Sequence, residues 1–225
     1  MDQSPPPPSH IEYSTDTMLS SLPIKQQAII MMENIEGWCS KQKASILMDI
    51  ILQIRPEIVV EIGVFGGKSL IPMALALKAN GIGKIYGIDA WDEDVSALNT
   101  INLEHGDWWA TIDHNAILKE LLKLIRKWNL QNQIELIIDT SENAPLISPI
   151  DVLHIDGNHS EINSLGDVTK WVPMVRPGGW IIFSDMNWCE NGVCTTARAV
   201  QYLNATCEKF VDFAEGETWG IWIKP

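Results

Sequence analysis

Residues 58–71, IVVEIGVFGGKSLI, constrain this chain more than any other stretch. Ile58 to Ile62 is a short β-branched run of the kind found in strands buried on both faces. Gly63, Gly66 and Gly67 follow at once, and Lys68-Ser69-Leu70-Ile71 reads as a helix start. Buried strand, glycine-rich turn and helix together form the ligand crevice of an open α/β sheet, at the carboxyl end of its first strand. Glycine is needed there because only a backbone without Cβ lets a ligand approach the turn closely.

The rest of the chain keeps the same rhythm. Strand patterns at 57–63, 84–89, 133–139, 150–156 and 180–185 alternate with helical patterns near 68–80, 112–128 and 161–175. Such alternation predicts βαβ units, hence a parallel sheet with helices on both faces. After a helix near 195–205, KFVDFAEGETWGIWIKP reads as two strands joined by a tight turn at Glu215-Gly216-Glu217. A hairpin brings one antiparallel strand into the sheet. Ahead of the sheet, residues 1–10 read as a disordered proline-rich tail and 11–56 as a helical cap. Ile46, Leu47, Ile50, Ile51 and Ile54 share one face of that cap, and Pro56 closes it. Residues 57–225 form the main domain, with a polar, Trp- and Asp-rich insert at about 91–115.

With 16 basic residues against 29 acidic ones and a net charge of −13, the chain lacks the clustered cations of a nucleic-acid groove. Its one dense basic stretch, Lys119 to Lys127, reads as a solvated helix face. Cys39, Cys189, Cys194 and Cys207 read as reduced structural thiols, since Cys189-x4-Cys194 has no second ligand pair for zinc. The N-terminus has no secretory pattern, and no apolar run approaches the ~20 residues of a membrane span. The expectation is a cytoplasmic protein with no membrane partner. The apolar helices before Pro56 offer a contact surface for a homo-oligomer.

Three ligands compete for the glycine turn. A dinucleotide wants G-x-G-x-x-G, and Phe65 stands where the second glycine belongs. A phosphate loop wants G-x-x-x-x-G-K-[ST]; the stretch from Gly63 to Ser69 is one residue short, and Glu61 beside it repels an anion. S-adenosylmethionine fits better, because its methionine end carries an ammonium and its sulfonium is cationic. Glu61 can serve the ammonium. Asp89, closing the second strand, can take the ribose hydroxyls, because neighbouring strand ends line one edge of the sheet.

The motifs EIGVFGGKS, GIDAW, HIDGNHS and PGGWIIFSD occur in this order. On them, over about residues 37–190, the chain resembles class I S-adenosylmethionine-dependent methyltransferases, and within them the macrocin O-methyltransferase-like branch. The resemblance implies a Rossmann-like sheet of seven strands with a C-terminal antiparallel hairpin, here preceded by the helical extension. It implies cofactor contacts by Glu61, Gly63, Phe65, Gly67, Ser69 and Asp89, with Trp91 beside the adenosine and Thr140 and Ser141 beside the adenine. It also implies transfer of a methyl group to a hydroxyl of a small-molecule acceptor.

A hydroxyl oxygen is a poor nucleophile until a cation lowers its pKa or a base takes its proton. The resemblance puts a magnesium ligand (Mg2+) at Asp156, which also borders the cofactor, and Asp185 and Asn187 can complete an oxygen donor set. Related enzymes often carry two consecutive acids after the fifth strand, and here Ser184 replaces the first. His159, three residues after Asp156, is the expected general base. His154 reads as a core histidine, and His105 and His114 as surface histidines of the insert. Trp91, Trp108, Trp109 and Trp188 could wall an aromatic acceptor site. Two further readings stay open at this point: a phosphate-loop nucleotidase, and a binding module that holds the cofactor without turnover.

Overall fold

The computed structural model describes residues 22–214 and 217–225. The expected tail over 1–10, the first part of the cap and the turn residues Glu215 and Gly216 lie outside them. The cap supplies α1 (Ile24–Met32) and α2 (Lys41–Ile54). The Ser40 side chain caps α2 by accepting from the Lys43 amide, and Arg55 ends it in the left-handed region just before Pro56. The alternating part then runs β1 (Ile58–Ile62), α3 (Leu70–Asn80), β2 (Lys84–Asp89), α4 (Glu93–Ser96), α5 (Leu103–Trp109), α6 (His114–Lys127), β3 (Ile134–Ile138), β4 (Ile150–Ile155), α7 (Glu161–Trp171) and β5 (Val175–Ser184). A small hairpin, β6 (Cys189–Glu190) and β7 (Val193–Cys194), precedes α8 (Ala197–Thr206), β8 (Glu208–Phe213) and β9 (Trp219–Ile223).

The strands form one seven-stranded sheet in the order β3-β2-β1-β4-β5-β9-β8. β1 to β5 are parallel, and β9 runs antiparallel to both β5 and β8. Chain order therefore reverses between β1 and β4, and a crevice opens beyond their carboxyl ends. The sheet splits the core in two. Val59, Ile85, Val152 and Ile182 face α1, α2, α3 and α6, while Val60, Leu153, Ile181 and Phe183 face α7 and α8. Helix α3 sits between the cap and the sheet and buries every residue from Leu70 to Leu77, which explains why it is apolar all round. No helix among the described residues is long and apolar enough to cross a membrane.

Several features depart from the sequence reading. β5 begins at Val175 rather than near 180, pairing with Ile150 before the register shifts to Val152–Trp180. The shift gathers Arg176-Pro177-Gly178-Gly179 into a bulge, where a Cβ on Gly179 would lie 2.5 Å from Val175. The polar, Trp- and Asp-rich insert carries the short helices α4 and α5, capped by the Asp92 and Asn102 side chains. Cys189 and Cys194, read as reduced thiols, are joined in a disulfide; Cys39 and Cys207 are free. The reason is local: Asn191 and Gly192 both take positive φ, which makes the two-residue hairpin turn that sets the cysteines opposite one another.

One polar clamp fixes where β1 begins. Asp151 Oδ2 accepts from the backbone amides of Glu57 and Ile58 at 2.9 and 2.8 Å, and its other oxygen pairs with Arg176. Burial alone would raise this carboxyl, but the guanidinium and the two amides outweigh it and hold it below its ordinary value. A depressed folded pKa adds stability that is present above the unfolded pKa and lost as pH falls through the folded one. Asp151→Asn should therefore cost about 1–3 kcal/mol at neutral pH. Urea midpoints measured from pH 7 down to pH 2.5 should show that cost shrinking in acid.

Candidate active site

The glycine turn is held from behind by the chain's own acid. The amides of Val64 and Phe65 both donate to Asp89 Oδ2 at 2.9 Å, and the Trp91 amide donates to Oδ1 at 2.8 Å. Asp89 also lines the cavity, where the ribose expectation places it. Gly63 and Gly67 sit at φ +82° and +85°, and a Cβ on Gly63 would fall 2.1 Å from the Asp156 carbonyl oxygen. The ends of β1 and β4 touch there, so no side chain is possible. Phe65 adopts φ 50° and its ring faces the cavity. Trp91 is buried behind the turn, where its indole N–H donates to the Phe65 carbonyl at 2.9 Å. It is absent from the cavity wall that the sequence reading gave it.

Beneath the turn runs a buried polar chain. The Ser69 hydroxyl donates to Glu61 Oε1 at 2.5 Å, and His154 Nδ1 lies 2.8 Å from the same oxygen. His154 Nε2 lies 3.1 Å from the Ser184 hydroxyl, which accepts from the Lys43 ammonium at 2.8 Å. Lys43 also donates to Asp156 Oδ2 at 3.1 Å. An ammonium can only donate, so Ser184 turns its own hydrogen to His154 Nε2, and Nδ1–H donates to Glu61. His154 is thus a core histidine, as expected, but one inside a network. Glu61 is fully buried, and its Oε2 has no hydrogen-bond partner among the described residues. Burial would lower Lys43, yet Asp156 outweighs it and holds the ammonium above its ordinary value. Asp156 is likewise held low, with the Lys43 charge overcoming burial. Lys43 was not singled out in the sequence, because a lysine on a helix normally faces water; its only signal is its place among Ala44, Leu47 and Ile51 on the buried side.

The same cavity is lined by Asp156, His159 and Asp185. His159 Nε2 lies 3.3 Å from Asp185 Oδ2, and one ligand atom from each of the three residues falls within 4.8 Å of the others. Burial raises the Asp185 carboxyl above its ordinary value. Two carboxylate oxygens and an imidazole nitrogen fit a divalent cation, as hard-cation and mixed N/O sites both allow. Asn187 is exposed and does not line the cavity, so the imidazole stands where the amide was expected.

The insert lines the cavity, which measures about 860 Å3. It is pinned on two sides: Asn158 donates to the carbonyls of Ser96 and Leu98, and Glu190 accepts from the amides of Ile101 and Asn102. Trp188 packs on His159 with ring centroids 4.8 Å apart, and Trp108 and Trp109 meet Trp38 of the cap at 5.7 and 6.0 Å. The aromatic wall therefore includes Trp38, not selected from the sequence, and excludes Trp91. His105, expected at the surface, is half-buried and lines the cavity against Trp188, with ring centroids 5.5 Å apart. His114, expected at the surface, is 2% exposed beside Trp109, and neither ring nitrogen has a partner among the described residues. Thr140 and Ser141 line the cavity beyond β3, where the adenine expectation puts them.

A family model described as a methyltransferase domain matches residues 60–186, more than half of the chain. The chain belongs to this methyltransferase-domain family. An uncharacterized protein of Acanthamoeba polyphaga mimivirus is 30% identical over 131 residues, 56% of this chain and 50% of the relative. An uncharacterized protein of Sinorhizobium fredii is 25% identical over 146 residues, 62% of this chain and 14% of the relative. The chain thus spans half the length of one curated relative and a small part of the other. Among solved structures, the O-methyltransferase TomG of Streptomyces achromogenes, in complex with S-adenosylmethionine, aligns with a TM-score of 0.61 at 16% identity over 95% of this chain and 92% of that one. An O-methyltransferase of Bacillus cereus in complex with S-adenosylhomocysteine gives 0.57 at 16% identity over 95% and 94%. The shared fold is that of the class I methyltransferases.

Removing the buried ammonium leaves Asp156 uncompensated. Lys43→Met should destabilise the protein by about 3–5 kcal/mol, and much of that should return in Lys43→Met/Asp156→Asn. Denaturant midpoints of the four proteins in the cycle check this; an additive double variant would mean the pair is not coupled.

Proposed function

We propose that the protein transfers the methyl group of S-adenosylmethionine to a hydroxyl oxygen of a small-molecule acceptor. The observation that carries this reading is one cavity bordered both by the glycine turn, with the buried Oε2 of Glu61, unpartnered among the described residues, behind it, and by His159 3.3 Å from Asp185. Glu61 completes its hydrogen bonding with the ammonium of the methionine end, directly or through a water. Gly63, Phe65 and Ser69 border the methionine portion, Asp89 the ribose, and Thr140 and Ser141 the adenine; Gly67, expected beside them, does not line the cavity and faces Leu121 and Ile71. The O-methyltransferases solved with this cofactor or its product share the fold and support the assignment. The net charge of −13 and the aromatic-lined cavity of about 860 Å3 support a small acceptor over nucleic acid.

The reaction is an in-line displacement. The acceptor oxygen attacks the methyl carbon, the carbon–sulfur bond breaks, and the sulfonium becomes a neutral thioether. The His159 imidazole, held by Asp185, takes the hydroxyl proton as the oxygen–carbon bond forms. Asp156 favours a positive imidazolium beside it. Magnesium held by Asp156 and Asp185 would supply further acidification of the acceptor hydroxyl. The pinned insert excludes water and holds acceptor and donor in line.

A phosphate ligand at the turn is disfavoured by the structure's own hydrogen bonds. The Val64 and Phe65 amides that a phosphate would need already donate to Asp89. In a thermal-shift series, S-adenosylhomocysteine should raise the melting temperature while ATP, with or without magnesium, and NAD should not. Stabilisation by ATP with magnesium alone would replace this reading with the nucleotidase one. Asp89→Ala should weaken S-adenosylhomocysteine binding by calorimetry. His159→Ala should leave that affinity unchanged and lower turnover roughly 100- to 10,000-fold, the usual contribution of a general base. A chelator that changes neither turnover nor cation binding would remove magnesium from the scheme.

A further inference from the structure

The end of the cavity beyond β3 holds a buried acid that the chemistry above leaves idle. Asp167, on the inner face of α7, is 4% exposed and lines the cavity with Ser141, Gly157 and Gly166. The Ser141 hydroxyl donates to its Oδ1. Its Oδ2 has no hydrogen-bond partner among the described residues. Lys170, one turn further on the same helix, does not pair with it; that ammonium donates to the carbonyl oxygens of Ser141, Glu142 and Ala144 at 2.8, 2.6 and 2.9 Å. A Cβ on Gly157 would approach Oδ2 to 3.2 Å, and a Cβ on Gly166 would meet nothing. The two glycines therefore leave Oδ2 reachable beside a flat opening, suited to a planar ring.

We propose that Asp167 reads the adenine base of the methyl donor, pairing its carboxyl with the exocyclic amine and the ring nitrogen next to it. The assignment rests on the methyl-donor reading above. With the methionine end at β1 and the ribose at β2, the base extends past the end of β3 to Ser141 and Asp167. Adenine offers there a donor, the amine, beside an acceptor, the ring nitrogen. A neutral carboxyl is the complement: Oδ1 accepts from Ser141 and from the amine, and Oδ2–H donates to the ring. Burial pushes the Asp167 carboxyl up to about 7, against the opposing pull of the Ser141 hydroxyl and Lys170, so the neutral form is available near neutrality. Above that pH the carboxylate loses its donor and faces the ring nitrogen with a lone pair. The other titratable groups around this end are Asp139 and Glu142 after β3, Asp156 and His159 after β4, and Glu161 and Lys170 on α7 itself.

The test is calorimetry of the full chain with S-adenosylhomocysteine and its 1-deaza and 7-deaza analogues, at pH 6 and pH 8.5. The wild type should bind the parent about tenfold more tightly than the analogue lacking the paired nitrogen, the size of one lost hydrogen bond. That preference should fade at pH 8.5. Asp167→Asn, which keeps one donor and one acceptor, should bind the parent alike at both pH values, and Asp167→Ala should bind parent and analogues alike. Equal affinity of the wild type for all three, or a preference that survives Asp167→Ala, overturns the assignment. The wild-type comparison needs no variant, so a folding defect cannot mask the answer. Failure of the parent to bind at all is a different result, and removes the methyl-donor reading together with this one.

Discussion

A single ammonium buried at the carboxyl edge of the sheet ties the architecture together. Lys43 comes from the cap and reaches Asp156 after β4 and Ser184 at the end of β5. A charge in that position is tolerable only when paired and fully hydrogen-bonded. The pairing fixes the cap against the sheet, keeps Asp156 ionised, and orients Ser184 toward His154 and so toward Glu61. A cap docked by apolar contacts alone could slide by a turn. One docked through a buried ion pair has a single register, and that register places Trp38 and Gly37 over the glycine turn.

The same pairing bears on the substitution at Ser184. An acid there would face Asp156 and Asp185 with like charge and would need a cation close by. Serine instead accepts from an ammonium that the fold supplies permanently. The cation-binding capacity that remains, at Asp156, His159 and Asp185, lies on the cavity side of that ammonium. An imidazole that is a ligand cannot at the same moment accept a proton with the same nitrogen. Acidification of the acceptor by a metal and its deprotonation by His159 would therefore place opposing demands on one ring, and in the proposed scheme Asp156 and Asp185 would hold the metal.

The alternation of strands and helices, the C-terminal hairpin and the glycine turn were legible in the sequence because each rests on local pattern. β-branched runs, helical periodicity and glycines are all read within about ten residues. What was not legible depended on distance. Lys43 and Asp156 are separated by 113 positions and Ser141 and Asp167 by 26, and no local pattern predicts such pairs. The family resemblance put Trp91, two residues past Asp89, beside the adenosine; its positive φ turns it behind the turn instead. The cysteine hairpin differs, because Asn191-Gly192 is itself a local turn signal that sets Cys189 opposite Cys194.

The distribution of satisfied and unsatisfied polar atoms then separates scaffold from site. Asp89 and Asp151 have their oxygens engaged by backbone amides, and both act on the fold first. Glu61 Oε2 and both His114 nitrogens are buried without partners among the described residues, although buried polar groups are nearly always paired. Gaps of this kind cost stability, so they persist where a ligand fills them. Glu61 Oε2 lies beneath the glycine turn and His114 beside it, where the proposed donor would bind; His105 Nδ1 and Gln133 Oε1 are also buried without partners among the described residues. Binding of the donor should for that reason order the turn, the cap over it and the insert together, because Asp89, Trp38 and Trp109 connect the three.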